Sequence, residues 1–160
     1  MYLIDSDVLI DAKNRHYGFD FVPAFWDWIT QQHQAGRVFT VQKVADEVLA
    51  GADELAQWMS IQPASFRIAA GPNDQASLQA VAQWANNAHF TQGAISEFLQ
   101  KADYYIVVQA ATLGYAVVTQ ETSDPTSRKR VKIPDACSAV GVSSITPFNM
   151  LRVKKARFVL

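Results

Sequence analysis

The sequence predicts an α/β fold with a central, mostly parallel sheet and helices on both faces. Three observations predict it. Short apolar runs such as Tyr2-Leu3-Ile4 and Tyr115-Ala116-Val117-Val118-Thr119 suit strands buried on both faces. Longer segments between them repeat apolar residues at helical spacing. Turn and cap residues separate the two kinds, so strand and helix alternate along the chain.

Strand one is predicted over roughly 1–5. Residues 11–20 read as a polar loop, and Asp20 is expected to cap a helix over about 21–35. Val22, Phe25, Trp26 and Ile29 share a face there, and Gly36 closes it. Arg37–Thr40 is a short strand. A helix over about 41–50 turns Val41, Val44, Val48 and Leu49 inward, and another over about 52–60 stops at Pro63. Ser65–Ala69 is predicted as a strand, and Gly71-Pro72-Asn73-Asp74 as a turn leading into helix 74–87. A helical region runs from Gln92 to Leu113 with a break near Gln100, and Gly114 ends it. After the Tyr115–Thr119 strand, residues 120–130 form a polar, then basic, loop. Val131–Ile133 is expected as a strand. Pro134 then opens a short helix capped by Asp135. Ser143–Thr146 is a last strand, Pro147 opens a last helix, and Arg152–Leu160 is a strand or an arm.

The totals bound the function. A chain of 160 residues suits one domain over 1–160 and buries enough surface to fold without a disulfide. One cysteine, Cys137, fits a reducing compartment. Asp5 and Asp7 interrupt the apolar core that a signal peptide needs, and no apolar run approaches a membrane span. A cytoplasmic protein is expected. The net charge of −1 hides an asymmetry: fourteen acids and six bases in 1–127, then one acid and eight bases in 128–160. Such separation fits cations held by one region and a polyanion by the other, or internal neutralisation.

The carboxylates carry the chemistry. Asp5 and Asp7 lie between two apolar runs, at the end of a strand. An unpaired buried charge costs several kcal/mol even after relaxation. Asp103 shares a predicted helix face with Leu99, Ile106, Val107 and Ala110. Glu47 lies beside Val44 and Val48, near a helix C-terminus that disfavours an anion. Glu121 directly follows a strand, where ligand sites of such sheets lie. Asp124 competes with it. If three or four of these converge, they repel one another, and Mg²⁺ or Mn²⁺ resolves the repulsion. Oxygen-only ligands favour these ions over zinc. Such ions can activate water for displacement at a phosphodiester. Ser6 and Asp7 are candidates for a supporting role. Arg128, Lys129, Arg130 and Lys132 form a basic loop suited to phosphate contacts. Trp28 faces away from the Val22–Ile29 stripe and is the leading residue for a partner surface.

Ile4-Asp5-Ser6-Asp7-Val8-Leu9-Ile10 resembles the opening motif of PIN-domain nucleases. Glu47 in Val44-Ala45-Asp46-Glu47-Val48-Leu49 resembles their second acid. Ala102-Asp103-Tyr104, then Gly114, then Val117-Val118-Thr119 resemble their third segment. Thr119-Gln120-Glu121 and Ile133-Pro134-Asp135-Ala136-Cys137 are similar to a PIN-like bacterial family of unknown function. The resemblance covers roughly residues 1–150. It implies a three-layer α/β/α PIN-like fold, Mg²⁺- or Mn²⁺-dependent endoribonuclease activity, and frequent homodimers. It also implies a role as the toxin of a toxin–antitoxin pair with a separate antitoxin chain. Asp5, Glu47 and Asp103 match the family's catalytic, metal-binding acids, with Glu121 preferred over Asp124 as the fourth. Two other readings compete. One is a PIN-like module that binds RNA or protein without cutting. The other is a haloacid-dehalogenase-like phosphatase, for which a late strand-linked acidic pair is missing.

Overall fold

The computed structural model describes residues 1–158. Five strands form one parallel sheet in the order β3-β2-β1-β4-β5. They are β1 (Tyr2–Ile4), β2 (Val38–Val41), β3 (Arg67–Ile68), β4 (Ala116–Val118) and β5 (Ser144–Ile145). Every connection between neighbours is a crossover through helix, as parallel pairing requires. The central strand is β1, and Leu3 pairs with Phe39 on one side and Val117 on the other.

Strand residues alternate between two helical layers, so the architecture is three-layer α/β/α. Leu3 and Val117 point into the layer of α5 (Gln75–Asn87), α6 (Gln92–Gln100), α7 (Ala102–Leu113) and α8 (Ile133–Ala139). Ile4 and Val118 point the other way. That layer holds α1 (Ser6–Asp11), α2 (Pro23–Gln34), α3 (Gln42–Ala50), α4 (Glu54–Ile61) and α9 (Pro147–Val153). Because both faces of β1 are dry, truncating Leu3 or Ile4 to Ala would cost about 2–5 kcal/mol. Trp26, Trp58, Phe66 and the buried His33 form an edge-on aromatic cluster in the second layer. The His33 ring contacts Val38 O at 3.1 Å and Ser65 Oγ at 2.9 Å, so its polar atoms are satisfied.

Several expectations are corrected. Residues 11–20 are not all loop: α1, capped by Asp5, runs to Asp11, and a π-helical turn over Ala12–His16 extends it. Asp20 caps nothing; α2 begins at Pro23, whose fixed φ suits a first helical turn. Over Ser65–Ala69 only Arg67–Ile68 pair as strand, after a 3₁₀ turn at Ala64–Phe66. Val131–Ile133 forms no strand, because Pro134 pulls the start of α8 back to Ile133 and β5 already occupies that edge. Asp135 does not cap α8; its carboxylate accepts from Ser123 Oγ and from the Asp124 N–H at 2.9 Å. Trp28 is half-buried, edge-on to Phe158, rather than a free surface. Within the tail, α9 reaches Val153 and an irregular segment follows to Phe158; the reading of 159–160 lies outside the described residues.

The predicted break near Gln100 is present and matters most for the site. Lys101 adopts an extended backbone between α6 and α7, so Asp103 lies in the first turn of a new helix. At that position the helix dipole favours an anion. Gly114 ends α7 at φ +69°, a left-handed conformation that side chains with a Cβ resist.

Candidate active site

Asp5 is the first residue beyond β1, and its N–H donates to Val118 O at 3.0 Å, extending the pairing with β4. Its side chain is 3% exposed. One carboxylate oxygen accepts the Ser6 N–H at 2.8 Å, the N-cap bond of α1. The other accepts the Thr119 hydroxyl at 3.4 Å. The same Thr119 oxygen accepts the Glu121 N–H at 3.1 Å. One threonine therefore links the ends of β1 and β4. Asp7 turns back to this point and accepts the Gln120 N–H at 3.4 Å.

Glu47 approaches from α3. It is exposed, and its Oε2 accepts the Ser6 hydroxyl at 3.0 Å. Asp103 approaches from α7 and is partly buried. The electrostatics bind the set together. Burial pushes the Asp5 carboxyl well above the usual range, and the charges of Asp7 and Asp103 add to the shift. Burial likewise raises Asp7. Asp103 is pushed up to about 6, by burial first and then by Glu121 and Glu47, with Lys101 and Arg130 opposing. Cys137, buried nearby, is pushed up to about 12 by burial and then by Asp5, so its thiol stays protonated.

Glu121 has a different setting. Its side chain is 8% exposed. Oε1 accepts Arg130 Nη2 at 2.6 Å, with Lys132 Nζ at 3.7 Å, and Oε2 accepts the Ile133 N–H at 2.7 Å. It pins the basic loop and satisfies a free donor at the start of α8. Asp124 is directed into its own turn, where it accepts from the Thr126 N–H and hydroxyl. The basic loop is thus divided. Arg130 and Lys132 are held by Glu121, whereas Arg128 and Lys129 are exposed and pair with no described residue.

The geometry brings Asp5, Asp7, Glu47, Asp103 and Glu121 within mutual electrostatic reach at the C-terminal ends of β1 and β4. It does not bring Asp124 there. Sequence reasoning passed over Thr119 as a strand end and Lys101 as a helix break; position at the mouth of the sheet was the signal for both. The donors are all hard oxygens, without thiolate or imidazole, which suits Mg²⁺ or Mn²⁺. Among the described residues, no three acidic, histidine or cysteine side chains already enclose an ion. The fit therefore lies in donor type and in uncompensated negative charge. Asp5, Glu47 and Asp103 are the residues with oxygens to give, since Glu121 is engaged by Arg130 and Ile133.

Comparison with known proteins adds two findings. A family model described as a domain of unknown function, DUF4411, matches residues 2–158. The crystal structure of FitAcB from Neisseria gonorrhoeae is similar to this fold with a TM-score of 0.55 at 16% identity, covering 92% of this chain and 99% of that one. No curated protein matches the sequence. At that identity the likeness concerns the fold, which is α/β, all-parallel in its sheet and PIN-like.

Proposed function

The chain belongs to the DUF4411 family, and we propose that it is a Mg²⁺- or Mn²⁺-dependent endoribonuclease that serves as the toxin of a toxin–antitoxin pair. One observation carries this reading. Asp5, Glu47 and Asp103, from three separate elements, meet at the ligand-binding end of the sheet, where the Asp103 charge adds to the raised proton affinity of Asp5 and the Glu47 charge to that of Asp103. A fold does not keep such charge together for stability, since each unpaired carboxylate opposes the others. The toxin role rests on the PIN resemblance of the sequence motifs, which also implies a separate antitoxin chain and a homodimer.

Asp5, Glu47 and Asp103 would hold the cation, with Glu121 as the fourth acid once Arg130 moves to a phosphate. A divalent cation bound there would neutralise phosphoryl oxygens and activate a water. The chain's own residues do the rest. The Thr119 hydroxyl orients Asp5, and the Ser6 hydroxyl orients Glu47. Arg128 and Lys129 hold the RNA backbone. Water attacks phosphorus and gives up a proton to solvent, the bond to the leaving ribose oxygen breaks, and that oxygen takes a proton from solvent.

Bulk RNA containing tRNA, incubated with Mn²⁺, Mg²⁺ or EDTA, tests the proposal. Fragments that need a metal and are lost in Asp103→Asn support it. Intact RNA with both metals at high protein concentration would overturn it in favour of a non-cutting module.

A further inference from the structure

A cleft of about 370 Å³ is lined by residues of the loop that follows Glu121 and by the ends of α5 and α8. Its volume falls in the ~300–1,000 Å³ range of small-molecule sites. Trp84 at the end of α5 and Phe90 beyond it line one wall, edge to face at 5.6 Å between ring centroids. Both are only half-buried. His89 stacks on Phe90 at 4.9 Å and contacts Ser127 O at 2.9 Å. Asp135 and Ser123 line the opposite wall.

Core packing accounts for only part of this wall: Trp84 and Phe90 rest against the core under α5–α8, yet both stay half-buried and His89 is exposed. Here three adjacent rings stay open to solvent beside the two unpaired cations. The wall is also tied to the basic loop: the Thr91 N–H donates to Arg128 O at 2.9 Å. That loop runs from Glu121, at the acid cluster, through Ser123 and Pro125, in the cleft, to Arg128 and Lys129. Aromatic faces next to exposed cations are what unpaired nucleic acid binds, by stacking and phosphate contact together.

We propose that this cleft is a nucleobase subsite that holds one unpaired base of a single-stranded RNA while Arg128 and Lys129 hold its flanking phosphates. The proposal rests on the ribonuclease reading and adds its substrate class. The Asp135 carboxylate sharpens it. Each oxygen already accepts one bond, from Ser123 or Asp124, and keeps a further lone pair. A carboxylate only accepts, so the cleft prefers a base with an exocyclic amino group, such as cytosine, over uracil.

The test is fluorescence anisotropy of labelled oligo(C), oligo(U) and a short RNA duplex with the protein in EDTA. The expected result is tighter binding of oligo(C) than of oligo(U), with the duplex weakest. Trp84→Leu and Phe90→Leu keep apolar packing but remove a stacking face. Each should weaken oligo(C) binding roughly 5- to 100-fold, the range for one lost base stack. Trp84→Phe should recover most of the affinity. Metal-dependent cleavage by wild type with unchanged oligo(C) affinity in both Leu variants would overturn the subsite and leave the nuclease intact. Absence of both cleavage and RNA binding in wild type would overturn the two together.

Discussion

Replacing Asp103 with Asn should stabilise the metal-free protein at neutral pH, and the amount follows from the site. Burial, Glu121 and Glu47 raise the Asp103 carboxyl from 3.8 to about 6. The folded chain therefore holds this proton more tightly than the unfolded chain does. Below pH about 3.8 both states are protonated, and the site carries no penalty. Between pH about 4 and about 6 the folded state must give up a proton it favours, and stability falls as pH rises. At ~1.4 kcal/mol per pH unit, the full penalty above pH 6 is about 3 kcal/mol. Asn keeps the shape without the charge. It loses the weak attraction of Lys101 and Arg130, so a gain of about 1–3 kcal/mol at pH 7.5 is expected. For a chain of this size that is a rise of roughly 3–9 °C in Tm. Urea unfolding of wild type and variant in EDTA at pH 4, 5, 6 and 7.5 measures it. The reasoning predicts a difference that opens with pH and is absent near pH 4. A difference of constant size, or a variant less stable at pH 7.5, would refute it.

Glu121→Gln leaves Arg130 without its ion pair and weakens the bond to the Ile133 N–H. Charge-assisted bonds of this kind are worth about 1.5–3 kcal/mol, so a fall in stability of that order is expected, with faster amide exchange at the start of α8. Hydrogen exchange at Ile133 indistinguishable from wild type would exclude this role. Doubly substituting Arg128→Ala and Lys129→Ala should lower RNA affinity and flatten its salt dependence by about 1.4 in the log–log slope, for two lost phosphate contacts on a single strand. An unchanged slope would place the backbone contacts elsewhere. Gly114→Ala forces a Cβ onto a residue at φ +69° and should cost about 1 kcal/mol or more, read as an earlier urea midpoint with the same m-value.

The residues that were legible in the sequence are those whose constraint is local. Asp5 at the end of an apolar run, the break before Asp103, Gly114 as a helix stop and Pro147 as a helix start are each fixed within a few residues. The α/β alternation needs nothing more. What stayed hidden depends on distant partners. Asp135 resembles a helix cap in its own segment, but Ser123 and the Asp124 N–H, eleven or twelve residues away, take its oxygens. Glu121 reads as a free acid after a strand, and only the folded loop brings Arg130 and the Ile133 N–H to it. Val131–Ile133 is apolar enough for a strand, yet the sheet edge it would need is taken by β5. The Ser6–Glu47 bond spans 41 positions, so no spacing rule announces it.

Calorimetric titration of Mn²⁺ into the metal-free protein tests the central claim, that the acids at the mouth of the sheet form a cation site. Saturable binding is predicted at pH 7.5. It should weaken as pH falls below about 6, where Asp103 takes up its proton, and it should be lost in both Asp5→Asn and Asp103→Asn. Binding that is absent at millimolar Mn²⁺, or that persists unchanged in the two variants, would contradict the claim.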